Sequence, residues 1–469
     1  MWLALHTGND VVRVAGSTTR SITLSTLAGA ALGAALLTPS AAMAQCSDTF
    51  STSFVAAGAP PGSDGFAYQN LFPLGVGASL NAVVSTMNTV NTAFLSPSSS
   101  FVSARGGAEP GQLGGGVWGR AVAGFVESKS TTTSTVDASQ ARTNDFGGNV
   151  VPVAPVTGTG KCKGVIEESY FGYQFGFDLA QLNMGGNGGN FHFGLTAGYI
   201  ASRSKDVTGR STFEKPVPGD ILILDSPAGS FSADTQVPFL GLYATYTQGN
   251  FSIDAQVRHD FYLMNMTDPL NGLSSQSQNA TGISVGGNAA YKIALPSNWF
   301  IEPSGGVIWS RVHVDPINTP GSAAFQFDNV GTVKIDDIDS ILGRVSLRVG
   351  TTITGGNLTW QPFVTGTLFH EFAGNATAAS QVGGPVNSSV ACTPIPNVLV
   401  CPPSGFFLND KRDLILNTST SRIGSFAQLG VGTATVFGSS GWLAYGRADY
   451  RTGDSIEGYS VNAGLRYHW

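Results

Sequence analysis

From Val117 to the C-terminus, apolar and polar residues alternate with a period of two, the pattern of a strand that shows different surroundings on its two faces. Between Tyr170 and Leu182 one face carries Phe171, Tyr173, Phe175, Phe177 and Leu179, and the other Tyr170, Gly172, Gln174, Gly176 and Asp178. Between Phe251 and Tyr262, the set Phe251, Ile253, Ala255, Val257, His259 and Phe261 opposes Ser252, Asp254, Gln256, Arg258, Asp260 and Tyr262. The last segment sets Tyr459, Val461, Ala463, Leu465, Tyr467 and Trp469 against Ser460, Asn462, Gly464, Arg466 and His468. Weaker alternation recurs near 117–128, 191–204, 237–247, 282–293, 299–312, 341–351, 358–372, 423–437 and 442–450. The pattern predicts twelve strands of about ten residues or more, a length that crosses a bilayer at a tilt.

The connections sort by length. Long ones fall near 129–169, 205–236, 264–281, 313–340 and 373–422, and short ones near 183–190, 248–250, 294–298, 352–357 and 438–441. A modest one near 451–457 completes the long side. Outer-membrane barrels have short periplasmic turns and long external loops, whereas a soluble sandwich has no reason to sort its loops this way. The expected fold is therefore all-β, a twelve-stranded antiparallel transmembrane barrel, with the apolar faces toward lipid and the polar faces toward a lumen. Asp254, Gln256, Arg258, Asp260, Glu302, Arg344 and Arg348 then project inward, to keep the lumen wet or to grip whatever lies in it. Gly172, Gly176, Gly194, Gly198, Gly286 and Gly464 fall on the same face and are expected to leave room inside.

One segment has a different period. Leu80, Val83, Val84, Met87, Val90 and Phe94 recur at spacings of three and four, which predicts a helix over 77–95, closed by Pro97. Its other face holds Asn81, Ser85, Asn88, Asn91 and Thr92, and no charge. At 1.5 Å per residue such a helix is roughly 27 Å long, close to the apolar thickness of a bilayer, and about 10 Å wide, which a twelve-stranded barrel admits. A pore helix is expected, the alternative being a helix that caps the periplasmic end. Residues 96–116, rich in Ser, Gly and Pro, read as a linker to a barrel over 117–469.

Arg13 and Arg20 precede an uncharged Leu/Ala-rich stretch from Ser21 to Thr38, then Pro39 and Ala42-Met43-Ala44. This reads as a secretory signal peptide over 1–44, cleaved before Gln45. Gln45 is not small, which argues against a lipidated Cys46. Export opens Cys46, Cys162, Cys392 and Cys401 to oxidation; Cys392 and Cys401 share one Pro-rich loop and are a candidate disulfide. A threaded helix would place 45–76 outside, with Cys46 in reach of Cys162 in the first external loop.

Composition narrows the function. Only 12 % of residues are charged, against roughly 25 % usually, while 61 glycines make up about 13 % of the chain. With 24 Lys+Arg against 30 Asp+Glu there is no basic excess to bind nucleic acid. No run beyond the N-terminus reaches ~18 apolar residues, so a helical membrane bundle is excluded. Enzymatic chemistry is not expected. His259-Asp260 and His370-Glu371 are neighbours on strands and point to opposite faces. His192, His313 and His468 stand alone in sequence. Asp336-Asp337-Ile338-Asp339 reads as a solvated acidic turn before it reads as a Ca²⁺ site, and Gly185–Gly189 as a flexible turn. No cofactor or metal is expected.

Val117-Trp118-Gly119-Arg120-Ala121 resembles the first strand, and the run from Tyr445-Gly446-Arg447-Ala448-Asp449-Tyr450 through Gly458-Tyr459-Ser460 to Trp469 resembles the end, of the autotransporter (type V secretion) translocator domain. Asn462, Gly464, Tyr467 and Trp469 fit the outer-membrane insertion signal, a polar residue and a Gly followed by two aromatics at alternate places. The resemblance implies insertion by the barrel-assembly machinery after passage through the general secretion translocon, and display of an N-terminal segment at the cell surface. The chain departs from the pattern in having only about thirty residues, 45–76, before the helix, without a repeat, and no Asn-Asn pair in the helix. A porin-like solute channel and a loop-mediated adhesin are the alternatives; no surface ligand is implied.

Overall fold

In the computed structural model twelve long strands close into one barrel. The described residues are 76–94, 108–137, 157–207, 231–268, 272–320, 331–382 and 414–469 except 439, with short strands at 49–52, 70–73, 142–144, 150–152, 222–224, 385–387, 393–395, 398–400 and 409–411. The leader 1–44, Cys46, Cys392 and Cys401 lie outside them.

The strands are β1 Gln112–Asp137, β2 Thr157–Met184, β3 Gly189–Asp206, β4 Ser232–Gln248, β5 Phe251–Asp268 and β6 Leu273–Tyr291. They continue as β7 Trp299–Val314, β8 Ile338–Thr351, β9 Leu358–Glu371, β10 Ser425–Phe437, β11 Trp442–Gly453 and β12 Ile456–His468. Each pairs antiparallel with the next in sequence. β12 returns to β1 in a register running from Ile456↔Ser128 to His468↔Gly116. That last pairing leaves no edge, so the backbone groups that face hydrocarbon are satisfied within the wall.

Along the lower part of each strand the outward residues are the apolar ones. Leu179, Leu368 and Val345 are more than 60 % exposed, while Asp178, Arg348 and Glu302 are buried inside. Near the short turns Trp299, Trp360, Trp442 and Trp469 are exposed, an aromatic girdle at an interface. No described helix is long and apolar enough to cross a membrane; this chain crosses with strands.

Above that band the polarity inverts. On β5 the inward residues change from Asp254, Gln256, Arg258 and Asp260 to Tyr262, Met264 and Met266, while Asn265 and Thr267 turn outward. On β7, Val312 and Val314 point in and His313 points out. Here the outer surface meets water and the inner one can form an ordinary apolar core. This inversion is why the strands outrun their sequence-based ends. β1 and β2 have 26 and 28 residues, where about 9–11 suffice to cross. The expected loop at 264–281 shrinks to the four residues between Asp268 and Leu273, and that at 451–457 to two. In the expected loop 373–422, Ala376–Val382 and Leu414–Thr420 join the wall, the latter pairing with Thr132–Asp137 of β1. The barrel also begins five residues earlier than 117, at Gln112, and Cys162 lies on β2 opposite Thr132, not in a loop.

Four of the inward glycines leave no hollow, whereas Gly286 lines a small cavity. Gly176 sits directly opposite Trp118, Gly198 opposite Phe239, Gly194 opposite Tyr243 and Gly464 opposite Tyr445. In each case the ring of the facing residue lies over the glycine, where a methyl group would overlap it. Glycine here is the floor on which an aromatic lies flat, and the rings take the space expected to be empty.

Gly176→Ala and Gly198→Ala should therefore destabilise the barrel by about 1–3 kcal/mol each, the usual cost of overpacking. Gly366→Ala, with nothing within 4 Å of the new methyl, should be silent. Unfolding midpoints of the purified barrel, read by its heat-modifiable electrophoretic mobility, test this; equal midpoints for all three variants would refute it.

Candidate functional site: an occupied pore

The helix α1 spans Val76–Ala93, against an expected 77–95. Every residue from Gly77 to Phe94 is buried. Its direction follows from its partners. Asn81 donates to Thr132 at 3.3 Å and also accepts from Thr420, both toward the long-loop end of the wall. Ser85 and Thr89 meet Glu168 further down, and the Phe94 carbonyl accepts from Arg120, eight residues into β1. The helix thus runs from the external mouth toward the periplasm, antiparallel to β1.

Both of its faces find a matching wall. Leu80, Val83, Val84, Met87 and Val90 belong to one apolar cluster with Val237, Tyr262, Met264, Val312 and Ile338, the inward residues of the inverted zone. The polar face is bonded at most of its positions, Asn88 being the exception, with its side-chain amide buried and unbonded. Ser85 Oγ donates to Glu168 Oε2 at 2.7 Å and Thr89 Oγ1 to the same oxygen at 3.0 Å. Asn91 Nδ2 donates to Ser310 Oγ at 2.8 Å, and Arg451 Nη1 donates to Thr92 Oγ1 at 2.8 Å. A charge-free helix suits such a cavity, since hydroxyls and amides cost less to bury than ions.

The C-terminal end has no basic residue of its own. The wall supplies them. Arg120 Nη2 donates to the Phe94 carbonyl at 2.6 Å and Arg258 Nη2 to the Val90 carbonyl at 3.4 Å. Two guanidinium groups thus meet the end of the helix where carbonyls lack intrahelical partners and the macrodipole is negative. Arg120 also lies 5.0 Å from the centre of the Phe94 ring.

The seven polar residues expected to face the lumen all point inward, and Arg258 bonds to the helix. Several of them also brace the wall. Arg348 Nη2 meets Glu302 Oε2 at 2.5 Å, Arg258 Nε meets Asp260 Oδ1 at 2.6 Å, and Arg344 Nη2 donates to Asn288 Oδ1 at 2.7 Å. Asn288 Nδ2 in turn donates to Asp254 Oδ1 at 3.2 Å. Gln256 lines a cavity of about 110 Å³ below Phe94, together with Trp118, Arg120, Tyr243, Asp254 and Arg344.

Sequence reasoning missed the network that ties the barrel seam. Arg466 of β12 donates to Asp178 Oδ1 at 2.9 Å across β1. Asp178 also accepts from Tyr243 at 2.7 Å, Tyr243 accepts from Trp118 Nε1 at 2.6 Å, and His192 Nδ1 lies 2.7 Å from Asp178 Oδ1. His192 is therefore not alone, nor is His313, whose Nδ1 lies 2.7 Å from Asp337. Asp339 pairs with Arg311 and Asp336 accepts from Thr377, so the acidic turn is taken up acid by acid. His259 and Asp260 do face opposite sides, as do His370 and Glu371.

Asn462 is buried on the inner face, and Gly464 lies under the Tyr445 ring. Tyr467 packs on Trp442 with ring centres 5.1 Å apart, and Trp469 on Phe177 at 6.0 Å, both in the girdle at the short-turn end.

Residues 165–393 match the family model of the autotransporter beta-domain. This chain is an outer-membrane autotransporter barrel. The transport unit of the autotransporter AIDA-I from Escherichia coli is similar in structure, with a TM-score of 0.50 at 12 % identity, over 83 % of this chain and 98 % of that one. The beta domain of the Bordetella autotransporter BrkA aligns at 17 % identity over 75 % and 98 %, with a TM-score of 0.44. The translocator domain of the autotransporter NalP from Neisseria meningitidis aligns at 12 % identity over 84 % and 97 %, with a TM-score of 0.40. No curated protein matches the chain in sequence. For the autotransporter barrel described here, the likeness to AIDA-I speaks to the fold; the contacts of the helix are this chain's own.

Those contacts make a prediction. Glu168→Ala removes the acceptor shared by Ser85 and Thr89, and hydrogen bonds to a carboxylate contribute about 1.5–3 kcal/mol. In a double-mutant cycle with Ser85→Ala, denaturant unfolding should show a coupling of at least ~0.5 kcal/mol. Strict additivity would mean that the helix does not rest on Glu168.

Proposed function

We propose that this autotransporter barrel holds its own helix as a permanent plug and keeps residues 45–75 outside the cell. The observation that carries the reading is the direction of α1: its N-terminal end lies beside Thr132 and Thr420 at the long-loop end, so whatever precedes Val76 starts from the external mouth. The porin-like alternative has no comparable support, because the helix occupies the lumen along its buried length.

On this reading the leader 1–44 directs the chain through the general secretion translocon and is cleaved before Gln45. Asn462, Gly464, Tyr467 and Trp469 then present β12 to the barrel-assembly machinery. An apolar-outward strand with terminal aromatics is suited to pairing with another strand edge and to settling at the interface. The barrel itself does no catalysis. It serves as an anchor for a short displayed segment and the external loops, through which an adhesive role would act.

Protease shaving of intact cells tests the topology. Cleavage between Gln45 and Phe72 with the barrel left membrane-embedded is expected. Protection of that segment, with cleavage only after the outer membrane is opened, would overturn the reading. In the same assay, truncation before Trp469 should leave little folded barrel in the membrane; undiminished assembly would remove the insertion role.

A further inference from the structure

Of the short strands outside the barrel, three form one sheet. Thr49–Thr52 lies between Asn70–Pro73 and Leu222–Leu224, antiparallel to both, with Phe50 opposite Phe72 on one side and Ile223 on the other. The first two come from the segment that precedes the helix. The third comes from the connection between β3 and β4.

Their placement follows from what is already fixed. Pro73 is three residues before Val76, the external end of the helix. The connection 207–231 joins the external ends of β3 and β4. Both partners are therefore tethered at the same mouth. The sequence gives a reason for them to meet. Ile221-Leu222-Ile223-Leu224 is an apolar run in a connection otherwise rich in Pro, Gly, Ser and charge. Such a run left unpaired at a surface is a site for aggregation, and an added strand covers one of its edges. Strand addition needs only backbone groups, so it tolerates the short and plain sequences on both sides.

We propose that Thr49–Thr52, with Asn70–Pro73 beside it, docks by strand addition on Leu222–Leu224 of the β3–β4 connection, forming with it an external cap instead of trailing as a free tail. The proposal rests on the external placement of this segment argued above. The loop is thereby an acceptor site whose ligand is this chain's own N-terminal hairpin. It also implies that the displayed surface is composite, made from the N-terminal segment and a barrel loop together.

Register-specific cross-linking in intact cells tests this. Facing residues of an antiparallel pair have Cα atoms ~4.5–5.5 Å apart, within the ~4.4–6.8 Å that a disulfide spans. In a Cys46→Ser background, Phe50→Cys combined with Ile223→Cys should give a link between positions 50 and 223 on mild oxidation. Phe50→Cys combined with Ser211→Cys, elsewhere in the same connection, should link about tenfold less. Equal linking by both pairs, or none by the first, overturns the docking. Labelling of the single Phe50→Cys variant by a membrane-impermeant thiol reagent, under reducing conditions on intact cells, separates the two claims. No labelling would overturn the external placement itself, whereas labelling without the 50–223 link would overturn only the cap.

Discussion

The structure depends on one constraint: no backbone N–H or C=O can be left unpaired against hydrocarbon, and each such group would cost several kcal/mol. Closing β12 on β1 meets it. The rest follows from having closed. A closed wall has an inside, and the inside of a twelve-stranded wall must be filled, wetted or occupied. Arg466 shows how closely closure and interior are linked, since its bond to Asp178 spans the seam and ends in the network of Tyr243, Trp118 and His192.

The filling is done in two ways. Low in the barrel, aromatic rings lie over glycines on facing strands and ion pairs such as Arg348–Glu302 brace the polar wall. Higher up, where the outer surface leaves lipid, the inner surface becomes apolar and receives the apolar stripe of the helix. The helix is amphipathic because its cavity is. Leu80, Val83 and Met87 meet the inverted zone, and Ser85 and Thr89 meet Glu168. Arginines from β1 and β5 meet its carbonyl end, so its polarity along the axis is matched as well as its two faces.

Much of this is legible in the sequence, and the boundary of legibility has a physical cause. Period-two alternation marks a strand only while its two faces meet different media in a constant sense. It therefore finds Phe251–Tyr262 and loses the same strand where Met264 and Met266 turn inward. Helical periodicity finds α1 because Leu80 to Phe94 keep one apolar face throughout. The inward set from Asp254 to Arg348 can be read from alternation, but its partners cannot. Pairs such as Asp178 with Arg466 or Glu168 with Ser85 depend on strand register and on which strands become neighbours by closure. Inward glycines give a misleading signal for the same reason: Gly176 reads as empty space until β1 places Trp118 over it.

The central claim is that the lumen is occupied by α1 and not open. Planar-bilayer recording addresses it directly, comparing the full chain with a variant that lacks residues 76–94. The account predicts near-silence from the full chain, broken at most by brief openings, and a steady ohmic current from the variant. A steady open-channel current of the same size from both proteins would contradict it.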